Sequence, residues 1–203
     1  INNDYGKGLS DSFINAYKGL GGKVSAVVPH EADKADFSAE VATLDASGAE
    51  VLAVFGYVDQ GGNHIIQGSL DSGSFDKFIL ADGMYGESLL KNMEGDLSGT
   101  FGTVPGTDSK GSETFKGMAQ SAGITVGGPF TGESYDAAAL LMLAMQSAGS
   151  TDRAAIASNV FAVANAPGVK IMPGELRKGL IILAKGGAVD YVGASNVELV
   201  GGG

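Results

Sequence analysis

Cysteine and tryptophan are both absent from this sequence of 203 residues. Without cysteine there are no disulfides, no thiol nucleophile and no thiolate metal site. Histidine is almost as scarce. His30 and His64 are the only two, and neither stands in an H-x-x-E-H or H-E-x-x-H spacing, so a histidine metal site is a poor candidate. Cations are few, with 13 Lys and Arg against 23 Asp and Glu and a net charge of −10, which argues against nucleic acid or an anionic membrane surface as partner. Only 5 prolines interrupt the chain. The longest apolar run, Ala137 to Met145, is far too short to span a bilayer. No signal peptide is visible, and the abrupt start fits a leader that has been removed.

Several catalytic signatures are lacking too. No G-x-x-x-x-G-K-[ST] phosphate loop occurs, and Gly6-Lys7-Gly8 fails the dinucleotide fingerprint because position 11 is Asp11. No G-x-S-x-G elbow presents a serine nucleophile. No pair of carboxylates stands out from the general acidity, so nothing here points to an enzyme, and no cofactor or metal is expected.

What is present is globular: 44% hydrophobic residues, 18% charged residues and 33 glycines. Short β-branched or apolar runs at Lys23–Val28, Glu50–Phe55, Lys77–Leu80 and Gly99–Val104 read as strands. Amphipathic stretches after Leu9, from Asp36, over 63–72 and around 88–93 read as helices. Their alternation through short connections predicts an α/β fold, a Rossmann-like doubly wound parallel sheet. Pro105 to Ser112 reads as a crossover. Beyond it, Glu113–Ala122, Ser134–Ala148, Asp152–Asn165 and Gly174–Lys185 predict helices, the second of them deeply buried. Ile124–Val126 and the stretch from Val189 read as extended, and Gly201 to Gly203 as an unstructured end.

Three loops at one sheet edge carry Tyr5, Tyr57 and Asp82, the last two directly after predicted strands. That edge is where open α/β sheets bind ligands. Asn3-Asp4-Tyr5-Gly6-Lys7-Gly8 is the first of them. A plain strand-to-helix turn with a core tyrosine is the better explanation when it is taken alone. Together the three loops offer aromatic walls, a hydroxyl and a carboxylate suited to an ammonium group.

The ordered blocks NDYGKGLSDSFINAYKGLGGKV, DFSAEVATLDASGAEVLAVFGY, FILADGMYGESLL, ESYDAAALLMLAMQSAG and GELRKGLIILAKGGAVDYVGAS resemble the periplasmic substrate-binding proteins of branched-chain amino-acid ABC transporters. The resemblance implies two Rossmann-like lobes of the type I periplasmic-binding fold that close over a ligand by a hinge. Residues 1–105 would form the second lobe, 106–190 the returning part of the first lobe, and 191–203 a crossover back. It implies ligand contacts at Tyr5, at Tyr57 (with Phe55 or Gly56 if the register slips), at Asp82 for an α-ammonium, and at Phe130 just before the YDA helix. The implied partners are a small-molecule ligand, an amino acid or an aromatic or aliphatic carboxylate, and a membrane permease. The implied location is the periplasm, or the cell exterior with a lipid anchor. Relatives carry a first-lobe segment ahead of the position of Ile1, so the resemblance implies a longer parent protein. A sensory module on the same fold is the alternative.

Overall fold

In a computed structural model, residues 1–32, 34–91 and 93–201 are described. The chain divides into two units, Ile1–Val104 and Pro105–Gly203. Both mix helices with parallel strands, as the alternating pattern predicts.

In the first unit, α1 spans Asp4–Gly19. The Asn3 side chain caps it by accepting from the Gly6 amide at 2.9 Å, and Asp4 and Lys18 sit at the ends where the helix dipole favours them. The helix therefore starts earlier than its apolar spacing suggests, and Tyr5 belongs to its first turn. Gly21, at φ 87°, ends it in the left-handed conformation that glycine adopts without strain.

The sheet of this unit is parallel, in the order β1 (Leu52–Val54), β2 (Phe78–Leu80), β3 (Phe101–Gly102). Leu52 faces Phe78, Val54 faces Leu80, and Ile79 faces Phe101 across the ladders. Alternation sends Leu52, Val54, Phe78 and Leu80 into one core with Val41 of α2 (Ser38–Asp45) and Ile66 of α3 (Asn63–Ser72). Phe55 instead meets Phe13 of α1, with ring centroids 5.3 Å apart. The short helix α4 covers Glu87–Lys91 and buries Leu89. The expected helix around 88–93 includes position 92, which lies outside the described residues, as do position 33 of the predicted loop and the last two glycines.

Lys23–Val28 corrects an expectation. The segment alternates half-buried Val24, Ala26 and Val28 with exposed Lys23, Ser25 and Val27, yet it forms no ladder. A β-branched run becomes a strand only when a neighbour takes its backbone groups, and none among the described residues does. Ile124–Val126 likewise stays unpaired.

In the second unit, α5 (Lys110–Ser121), α6 (Thr131–Ala148), α7 (Arg153–Ala164) and α8 (Leu176–Ala184) pack with β4 (Val169–Ile171) and β5 (Val189–Tyr191), a parallel pair. Leu143, Ala144, Val163, Ile171 and Tyr191 form its core. Helix α6 is not buried all round as expected. Leu140 and Leu143 face this core, whereas Leu141 is 51% exposed and Met142 41%. The side chain of Asp136, 2% exposed, takes four hydrogen bonds from the last residue of β5 and the loop after it. The donors are the Tyr191 hydroxyl and the Ala194 amide, both at 2.8 Å, and the Ser195 amide and hydroxyl, both at 2.7 Å. That cage ties the first turns of α6 to the loop after the last strand. No described helix is long and apolar enough to cross a membrane.

Candidate ligand site at the strand ends of the first unit

Tyr57 follows β1 after Phe55-Gly56, and Asp82 follows β2 after Ala81. Tyr57 leads into a tight turn, Val58–Gly62, in which Gly61 takes φ 96° over the Phe37 ring. Asp82 opens a single 3-10 turn, Asp82–Met84. Tyr5 comes to both from the start of α1.

The structure joins these three residues. The Tyr5 hydroxyl donates to Asp82 Oδ1 at 2.9 Å and accepts from the Gly83 amide, also at 2.9 Å. Its ring stacks on Tyr57, with centroids 4.8 Å apart and planes inclined by 20°. All three side chains are half-buried. Burial pushes the Tyr5 hydroxyl up to about 12, and the hydrogen bond to Asp82 and the charge of Asp82 add to the rise, while the Gly83 amide partly opposes it. At neutral pH the hydroxyl therefore keeps its proton and donates a hydrogen bond to Asp82.

Electrostatically, this leaves one carboxylate oxygen committed and one open. Asp82 Oδ2 has no hydrogen-bond partner among the described residues, and it lies beside a stacked tyrosine pair. A carboxylate oxygen next to aromatic faces suits a cation that can donate hydrogen bonds, such as a primary ammonium. Among the described residues no group of three or more His, Cys, Asp or Glu could hold a metal ion.

Gly83 is the participant that the sequence reading passed over. Its amide fixes the Tyr5 hydroxyl, and a Cβ at this position would run into the Gly56 carbonyl oxygen, the Tyr5 hydroxyl and the Tyr57 ring. The only signal for it was glycine directly after the acid. Behind the site, His30 is 6% exposed, and its Nε2 has no hydrogen-bond partner among the described residues. Its ring lies against Gly56 and edge-on to Phe37 at 5.7 Å. Desolvation lowers its pKa below the usual histidine value.

Phe130 belongs to the other unit, where it precedes α6 and is 42% exposed. Its φ of 63° is uncommon for a bulky side chain.

A family model for periplasmic binding proteins matches residues 2–176. The chain belongs to that family. Its model is of the type I fold, typical of branched-chain amino-acid-binding proteins. No curated protein matches the chain significantly. For a periplasmic binding protein the role is solute binding, the family is typically non-enzymatic, and its location is periplasmic or extracellular. The match covers Tyr5, Tyr57, Asp82 and Phe130 alike.

Proposed function

We propose that this periplasmic binding protein is the receptor component of an ABC transporter and captures an amino acid or a related small carboxylate. The observation that carries this reading is the open Oδ2 of Asp82 beside the Tyr5–Tyr57 stack. Asp82 pairs with the ligand ammonium, and Tyr57 and Tyr5 supply the aromatic wall. Phe130 is a further aromatic contact, supported by the family resemblance and by its left-handed backbone. Capture proceeds by closure of two lobes about the segments near Pro105–Ser112 and Tyr191–Ala194, and a membrane permease receives the loaded form.

Thermal-shift measurements against amino acids and aromatic and aliphatic carboxylates test this, because a bound ligand raises stability by RT ln(1 + [L]/Kd). We expect an amino acid to raise the melting temperature, and Asp82→Ala to weaken that ligand by about 3 kcal/mol, as for removing one partner of a desolvated charge pair. No response to any of these compounds, or an equal response in Asp82→Ala, would sink the assignment.

A further inference from the structure

Asp82–Gly83 is the single Asp-Gly pair in the sequence, and no Asn-Gly pair accompanies it. In an acid followed by glycine the next amide nitrogen reaches the side-chain carboxyl carbon most readily, because no Cβ obstructs the approach and the glycine turns freely. Here the glycine is also imposed by packing. A Cβ at Gly83 would meet the Gly56 carbonyl oxygen, the Tyr5 hydroxyl and the Tyr57 ring. Asp82 and Gly83 are both half-buried, so water reaches the pair.

Both groups that would react are engaged by one atom. The Tyr5 hydroxyl accepts from the Gly83 amide and donates to Asp82 Oδ1, each at 2.9 Å. The nitrogen that would attack thus has its hydrogen directed at Tyr5, and the carboxyl is held by the same oxygen. The backbone adds a second restraint. Asp82–Met84 is a 3-10 turn, with the Met84 amide bonded to the Ala81 carbonyl at 3.0 Å and the Tyr85 amide to the Asp82 carbonyl at 2.9 Å. A five-membered ring between Cγ and the next nitrogen closes only after the Asp82–Gly83 peptide rotates out of the helical range. That rotation carries the Gly83 N–H off the Tyr5 hydroxyl.

We infer that Asp82–Gly83 is a site of spontaneous aspartyl isomerisation, kept unreacted by the Tyr5 hydroxyl. In the step itself the Gly83 nitrogen bonds to Asp82 Cγ, and the O–H oxygen of the protonated carboxyl leaves as water with the amide hydrogen. Water then opens the cyclic imide at the former main-chain carbonyl, breaking its bond to the Gly83 nitrogen, and the chain is left running through Cγ. The water released is matched by the water taken up, so the mass is unchanged and no oxidant or reductant takes part. The product has an extra methylene in its main chain and its free carboxylate directly on Cα. The open Oδ2 no longer stands beside the tyrosine stack, so, on the ligand reading proposed above, the isomerised protein loses its partner for the ammonium.

The test incubates the whole chain, without ligand, in heavy-oxygen water and maps isoaspartate at Asp82 after digestion, each opening of the imide adding one heavy oxygen. Reaction in the native state proceeds through local opening, so the rate reads how tightly the pair is held. We expect the folded parent to react at least about tenfold more slowly than the same chain in urea. Tyr5→Phe, which keeps the ring and removes the hydroxyl, should react about fivefold or more faster than the folded parent. Asp71–Ser72, in α3 of the same unit, reports unfolding and should stay slow in both folded proteins. Equal rates at Asp82 in the folded and the urea-unfolded parent overturn the proposal. A Tyr5→Phe rate equal to that of the parent also overturns it, since the turn alone would then hold the pair. Acceleration shared by Asp71 overturns it too, because the hydroxyl would then act through overall folding. No ligand enters the measurement, so each outcome is independent of the amino-acid reading.

Discussion

The Tyr5 hydroxyl stands between Asp82 and the Gly83 amide, donating a hydrogen bond to the one and accepting a hydrogen bond from the other, each at 2.9 Å. One side chain from the start of α1 thus fixes both the acid and the backbone of the loop after β2. The arrangement leaves Asp82 Oδ2 as the open acceptor. Tyr5 shapes the site as much by orienting Asp82 as by offering its own ring.

Tyr5→Phe removes both hydrogen bonds while keeping the stacked ring. We expect a loss of about 2 kcal/mol in the stability of the first unit, one bond being to a charged group and one to an amide. The hydroxyl titrates near 12 in the folded protein against an ordinary value of 10.0, so the unfolded chain gives up its proton first. The stabilisation is complete below pH 10 and is lost as pH rises from 10 toward 12. Urea unfolding at several pH values across that range should show a steeper decline in the parent than in Tyr5→Phe. Identical slopes would mean that Tyr5 is not the residue holding its proton.

Gly83→Ala tests the close approach of the two loops. The added methyl meets the Gly56 carbonyl oxygen, which belongs to backbone and cannot swing aside. Overpacking of this kind costs about 1–3 kcal/mol. A lower melting temperature of the first unit corresponding to that loss of stability, with the Tyr5–Tyr57 stack disturbed in near-ultraviolet circular dichroism, is the expected outcome. An unchanged spectrum and melting temperature would show that the loops are not packed this closely.

Much of this organisation could be read from residue order alone, because it rests on local signals. Helix α3 is found at the predicted 63–72, ended by Gly73 in a left-handed conformation, and β2 falls within the predicted Lys77–Leu80. The loops after β1 and β2, which carry Tyr57 and Asp82, followed from strand–helix alternation, whereas Tyr5 comes from the first turn of α1. What could not be read depends on distant partners. Lys23–Val28 has the composition of a strand, but pairing is decided by what lies alongside. Strand β4 escaped notice because Val169-Lys170-Ile171 is three residues with a lysine at its centre, and only its ladder to β5 makes it a strand. The exposed side of α6 at Leu141 and Met142 is apolar in sequence, so no change in polarity marks where the core ends. The bond from Tyr5 to Asp82 spans 77 positions, and no spacing rule reaches that far.

Asp136→Ala should be among the most damaging single changes in the second unit. It removes the acceptor for the Tyr191 hydroxyl, the Ala194 and Ser195 amides and the Ser195 hydroxyl. The buried Tyr191 hydroxyl and Ala194 amide cannot both reach water in its place, and each unmet buried donor costs about 1–3 kcal/mol. We expect a loss of about 3 kcal/mol or more by urea unfolding and faster hydrogen exchange at Ala194 and Ser195. Full retention of stability would show that the cage contributes little.

His30 gives the acid limb. Its ring is buried against Gly56 and Phe37 with Nε2 unpartnered among the described residues, and desolvation holds its pKa below the ordinary 6.5. The folded state prefers the neutral ring, so the unfolded chain takes up a proton first as pH falls. Stability from this residue is present above pH 6.5 and is lost as pH drops through the lowered folded value. Replacement by phenylalanine keeps an aromatic ring at the site and removes both the titration and the orphaned nitrogen. His30→Phe should therefore lose less stability than the parent between pH 7 and pH 5, measured by urea unfolding at each pH. A parallel decline in the two proteins would assign the acid sensitivity to other groups and leave the His30 ring with a packing role only.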